Sequence, residues 1–168
     1  GKKMADDVDL RAMDPFYQIR FADGRIFNYT GDLEQMKREV SKFNPKDLPG
    51  YLRFLEDAKY RYKLGFEELG DVAFDNLADL AKAFPSLIKM RAWETLYSLV
   101  AKHMKDPQLR EVMSFHPLLI GGNPFSVSSA YALINSLERK WGVYSAMGGT
   151  GAIIKGLVKL LDGLGVSI

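Results

Sequence analysis

The sequence predicts an α+β fold: a small mixed or antiparallel β-sheet beside a predominantly helical region. Three observations carry that reading. Two β-rich runs flank a glycine turn near the start, and from Asp32 onward apolar residues recur at helical spacing. The third is Val112 to Ile154, where only Glu138, Arg139 and Lys140 are charged in a chain whose charged fraction is 26%. These patterns divide the chain into strands and a hairpin over 1–30, helices over 31–111 and an apolar segment over 112–168.

The strands come first. Val8 to Met13 alternates weakly, and Phe16 to Phe21 and Arg25 to Tyr29 flank Ala22-Asp23-Gly24 as a hairpin whose tight turn uses Gly24. Alternation puts Phe16, Gln18 and Arg20 outward, with Tyr17, Ile19 and Phe21 on the buried face. A helix follows, capped by Asp32 and buried through Leu33, Met36, Val40 and Phe43. Asn44-Pro45 ends it and opens the next, whose stripe is Leu48, Tyr51, Leu55, Ala58 and Tyr62. Asp71 to Asp75 reads as loop. Asn76 to Phe84 and Pro85 to Met104 read as helices bent or separated at Pro85. Asp106-Pro107 opens a helix through Met113. After Gly121-Gly122-Asn123-Pro124, Ser126 caps a helix with the stripe Val127, Ala130, Tyr131, Ile134, Leu137 and Trp141, ended by Gly142. A short strand over Val143 to Met147, a glycine turn and a last helix stopped by Gly165 complete the order, and Val166 to Ile168 begins another strand.

The length of 168 residues suits one domain with a real core. A net charge of +2 gives no footprint for nucleic acid, and the absence of cysteine excludes disulfides and thiolate chemistry. The first residues have no signal-peptide pattern. The uncharged run Val112 to Leu137 is long enough to span a bilayer, but its prolines and glycines break it. The chain starts without methionine and ends on an apolar tail, which reads as part of something longer.

Few residues invite chemistry. The Gly148-Gly149-Thr150-Gly151 turn sits between strand and helix but fails as a dinucleotide fingerprint, because Ile154 stands where the third small residue belongs. His103 and His116 have no acids at metal-ligand spacing, so no metal is expected. Asp79 and Lys82 are one helical turn apart, a spacing that serves an exposed ion pair or, beside an apolar cavity, a charge shuttle. Between Leu80 and Lys105 five cations face Glu94 alone, which fits either a solvated basic face or a membrane-surface element.

The segment from Leu109 to Leu161, with its runs SFHPLLIGGNPFS and ERKWGV…GGTGA, resembles the bacterial-type phytoene desaturases. Upstream, PFYQIRFADGRIFNY and KFNPKDLPGYLRFL fit the same family in order and spacing. The resemblance implies the fold of amine-oxidase-like flavoproteins, and a central portion only: the FAD-binding segments lie before the position matching Gly1 and after that matching Ile168. It implies the substrate- and membrane-binding part of a FAD-dependent enzyme that desaturates phytoene and partly desaturated carotenes, inactive without its FAD domain. Oxygen or a quinone would reoxidise the flavin. The expected setting is the cytoplasmic surface of a bacterial inner membrane, with homo-oligomerisation open.

On this resemblance the helical region becomes the membrane-associated part and the charge-poor segment the substrate lining. Phe115, Leu118, Leu119, Phe125, Tyr131 and Tyr144 are the expected substrate contacts, and Gly148 and Gly149 lie where the chain returns toward the flavin. Asp79 and Lys82 become catalytic candidates, although relatives can carry arginine where Lys82 stands, and lysine lacks the guanidinium fork. Two other readings are a flavin-dependent carotenoid isomerase or retinoid oxidoreductase, and a non-catalytic lipid-binding module.

Overall fold

The structure is a computed structural model that describes residues 4–71 and 75–166. Strand β1 (Leu10–Ala12) precedes a hairpin of β2 (Tyr17–Arg20) and β3 (Ile26–Tyr29), paired antiparallel with Tyr17 opposite Tyr29 and Ile19 opposite Phe27. Gly24 turns it at φ +85°, where a side chain would be strained. The face carrying Phe27 and Tyr29 is buried, as the alternation predicts. Phe16 differs from expectation. Instead of pointing to solvent beside Gln18 and Arg20, it packs against the core, its ring 6.5 Å from that of Tyr29.

Helix α1 (Leu33–Phe43) starts where Asp32 accepts a hydrogen bond from the Gln35 amide at 2.7 Å, a cap contributing about 1 kcal/mol. Asn44 then caps a short 3₁₀ turn that runs into α2 (Leu48–Tyr62), with Pro49 in its first turn as expected. The core on α2 includes Phe54, which the predicted stripe omits. A single π turn, Lys63–Glu68, extends α2. Of the loop expected at 71–75, residues 72–74 lie outside the described residues.

Helix α3 (Leu77–Lys89) continues through Pro85, so the helices are not separated there. The chain turns instead at Met90 to Thr95, with Arg91 left-handed at φ 50°, before α4 (Leu96–His103) and α5 (Pro107–Ser114). The cause is a distant segment. The hydroxyls of Ser128 and Ser129 donate to the carbonyls of Ala92 (2.6 Å) and Arg91 (3.0 Å), and the Ser129 amide donates to the Glu94 carbonyl at 2.7 Å. The corner's backbone therefore finds its partners from outside the helix rather than from a continued ladder.

After a 3₁₀ turn over His116–Ile120 and another over Ser129–Ala132, α6 (Leu133–Trp141) ends at Gly142, which has a positive φ of 79°. Ser128, not Ser126, supplies the cap here. Strand β4 (Tyr144–Ala146) pairs antiparallel with β1, bringing the two ends of the chain together, and α7 (Thr150–Gly163) follows. Among the described residues the fold is thus helical with two separate two-stranded antiparallel ladders. The expected strand after Gly165 involves residues 167–168, outside the described residues. Among the described residues no helix is long and apolar enough to cross a membrane.

The core lies where the β2–β3 hairpin, α1, α2, α4 and α5 meet around Phe27, Tyr29, Phe54 and Val100. Each of these large side chains contributes about 1.5–3 kcal/mol by leaving water.

Candidate functional site: an apolar groove over a buried polar knot

An open groove of about 550 Å³ lies between the end of α5, the following 3₁₀ turn and the loop before residue 128. Ile19, Tyr97, Phe115, Leu118, Pro124 and Phe125 form most of its wall, and Glu111, Ser114 and Asn123 supply the polar groups. Leu118 and Phe125 are 61% and 62% exposed, so large apolar surface stands in water. Asn123 sets this geometry. Its side-chain oxygen accepts from the Phe125 amide at 2.9 Å and its carbonyl accepts from the Val127 amide at 2.9 Å, an Asx-type turn that presents Phe125 with its ring 4.6 Å from that of Tyr97.

Behind Phe115 lies a cluster the sequence reading did not foresee. The predicted apolar stripe of α6 is not the face that is buried: Asn135 and Glu138 are buried and Trp141 is exposed. The rotation follows from what faces the helix. Glu138 accepts from the Tyr17 hydroxyl at 2.8 Å and meets Nε2 of His116 at 3.0 Å, while Asn135 accepts from the Tyr29 hydroxyl at 2.7 Å. Apolar side chains on that face would leave these groups buried without partners. The signal was in the sequence: Glu138 is one of three charges in Val112 to Ile154.

His116 is fully buried, and its Nδ1 has no hydrogen-bond partner. A proton on Nδ1 would be a buried, unpaired donor, so the arrangement favours the proton on Nε2, donated to Glu138. Burial first, then the hydrogen bond to Glu138, push the Tyr17 phenol far above its ordinary value. The rings of Tyr17 and Tyr29 lie edge-on to Phe115 at 5.2 and 6.2 Å, and that of His116 lies 4.3 Å away. The knot therefore backs the groove wall.

The structure brings Phe115, Leu118 and Phe125 together in one wall. Leu119 is exposed on the same 3₁₀ turn, Tyr131 packs against the core, and Tyr144 is exposed on β4; none of these three lines the groove. Gly148 and Gly149 take φ of +86° and +76° between β4 and α7. A Cβ at Gly149 would meet open space, so a flat group could approach the backbone there. Asp79 and Lys82 form a salt bridge of 3.2 Å in which Lys82 is 78% exposed and Asp79 also meets its cap, Asn76.

No family model matches the chain. It is 43% identical over 165 residues to a lycopene-forming phytoene desaturase of Pantoea ananas and 45% over 165 residues to one of a Paracoccus species. To a neurosporene-forming phytoene desaturase of Cereibacter sphaeroides it is 42% identical over 167 residues. These matches cover 98–99% of this chain and 32–34% of the relatives. Over nearly its whole length the chain is therefore similar to carotenoid desaturases. Within that class it is similar from end to end to the bacterial phytoene desaturases, and it spans about a third of the length of those it matches.

Proposed function

We propose that this chain forms the substrate-facing part of a FAD-dependent phytoene desaturase, with the groove at Phe115, Leu118 and Phe125 seating a section of the C40 chain. The observation that carries this reading is an apolar wall held open to solvent within a segment similar to phytoene desaturases. A hydrocarbon has nothing to hydrogen-bond, so only apolar burial can hold it. Phe115, fixed by the rings behind it, orients the bound section, and Phe125 and Tyr97 exclude water from its other side. The residues present do not fit a FAD site by themselves, and the cofactor in this reading is held by sequence beyond this third. Bound there, it would supply the two-electron acceptor, with oxygen or a quinone downstream. Asp79 and Lys82 do not line the groove, and the reading assigns them no step.

The substrate dissolves in lipid, which argues for attachment to a membrane surface. Exposed Phe84, Ile88 and Trp93 at the α3–α4 corner, interleaved with Lys89 and Arg91, support that part of the reading.

The test is to supply the full-length protein carrying this sequence with FAD and phytoene in liposomes. Carotenes with more double bonds are expected, seen as new visible absorption. Isomerisation without added double bonds would favour a carotenoid isomerase, and binding without conversion a carrier.

A further inference from the structure

A second cleft, of about 280 Å³, lies between α2 and the α3–α4 corner. Its wall carries four permanent cations, Arg61, Lys89, Arg91 and Lys102, with His103 and a single acid, Asp57. Asp57 is occupied by His103 at 3.3 Å and Arg61 at 3.4 Å. Glu94, outside the wall, pairs with Lys102 at 2.6 Å and more distantly with Arg91 at 3.7 Å. Lys89 makes no ion pair among the described residues.

Arg61 is the informative member. Its side chain is only 3% exposed, and a buried guanidinium costs heavily unless its donors are met. One Nη donates to the Met90 carbonyl, the other reaches Asp57, and Nε has no partner. Planar donors beside further cations match the tetrahedral oxygens of a phosphate. The same corner presents Trp93, 68% exposed, together with exposed Phe84 and Ile88 one helical turn apart on α3. Aromatic and aliphatic side chains around a cationic cleft complement the boundary between acyl chains and anionic headgroups.

We propose that this cleft binds the headgroup phosphate of an anionic phospholipid, with Arg61 at its floor, Lys89 and Arg91 at its rim, and Trp93 in the acyl boundary. The proposal rests on the membrane-surface reading above and adds to it a headgroup class and a place.

Flotation of the full-length protein with vesicles of phosphatidylcholine, with and without phosphatidylglycerol, tests it. The Lys89→Gln/Arg91→Gln variant changes only exposed side chains and keeps the fold testable without touching Arg61. It should lose more than about tenfold in affinity for phosphatidylglycerol vesicles and nothing for phosphatidylcholine. A Lys37→Gln/Lys155→Gln variant should bind as the parent does. Equal losses in the two variants would mean unspecific charge attraction and overturn the site. So would binding indifferent to headgroup, which leaves the membrane reading standing; binding to neither vesicle removes both. Inorganic phosphate is the remaining arm. If it shifts the His103 ring resonances while phosphatidylglycerol adds no affinity, the cleft takes free phosphate and the lipid assignment falls.

Discussion

Nε2 of His116 lies 3.0 Å from Oε2 of Glu138 inside the core, and the other oxygen of that carboxylate takes the Tyr17 hydroxyl at 2.8 Å. One side chain on α6 thus holds a residue of the hairpin and the buried histidine that stands behind the groove wall. Glu138→Leu strands both donors in an apolar setting and should cost about 3 kcal/mol, whereas Glu138→Gln keeps an acceptor and should cost about 1 kcal/mol. Urea unfolding measures both. Equal losses would assign the effect to the carboxylate's charge rather than to the number of acceptors it offers.

Gly50 is the point where α2 presses on the end of α4. A Cβ added there would overlap the backbone carbonyl of His103, which cannot swing away as a flexible side chain could. Gly50→Ala should destabilise the fold by about 3 kcal/mol, at the upper end of the range for overpacking. Gly151→Ala, where a Cβ meets open space, should be near neutral in the same thermal or urea measurement.

Asp47 is buried and accepts from the amides of Lys105 at 2.9 Å and Asp106 at 2.7 Å, tying the start of α2 to the turn between α4 and α5. Asp47→Ala leaves two backbone donors unmet and should cost about 2–4 kcal/mol. Asp47→Asn retains one acceptor and should recover part of that loss, again by urea unfolding.

Burial pushes the Tyr51 phenol up to about 12, with Arg139 pulling the other way, and burial also holds Tyr29 well above its ordinary value of 10.0. A folded value above the unfolded one means that the stabilisation is complete below pH 10 and is lost as pH rises toward 12. Urea midpoints should therefore fall between pH 10 and 12. Tyr51→Phe should flatten that decline, and an unchanged slope would remove Tyr51 from it.

The hairpin, α1 and the start of α2 were legible because local rules agree there. Alternation, Asp32 and Asn44 as caps, and Pro45 after a helix end all act within a few residues. The α3–α4 corner was not legible, since its position is set by Ser128 and Ser129 bonding across more than thirty positions of sequence. Pro85 removes only one hydrogen bond of an exposed helix and does not stop it. The groove was half legible. Charge depletion singled out the stretch that holds Phe115, Leu118 and Phe125, but those residues were named through the family resemblance, and hydropathy alone could not rank them above Tyr131 or Tyr144. The polar knot was hidden because Asn135 and Glu138 read as the solvent side of an amphipathic helix, while Tyr17, Tyr29 and His116 wait for them inside.

The central claim is that the polyene lies along Phe125 and Phe115 rather than on the exposed apolar surface of Ile154, Leu157 and Leu161 on α7. Benzoylphenylalanine placed at position 125 or at position 154 of the full-length protein, irradiated with phytoene in liposomes and analysed by mass spectrometry, compares the two surfaces directly. A phytoene adduct at 125 and none at 154 is the predicted result; an adduct confined to 154 would contradict the assignment of the groove.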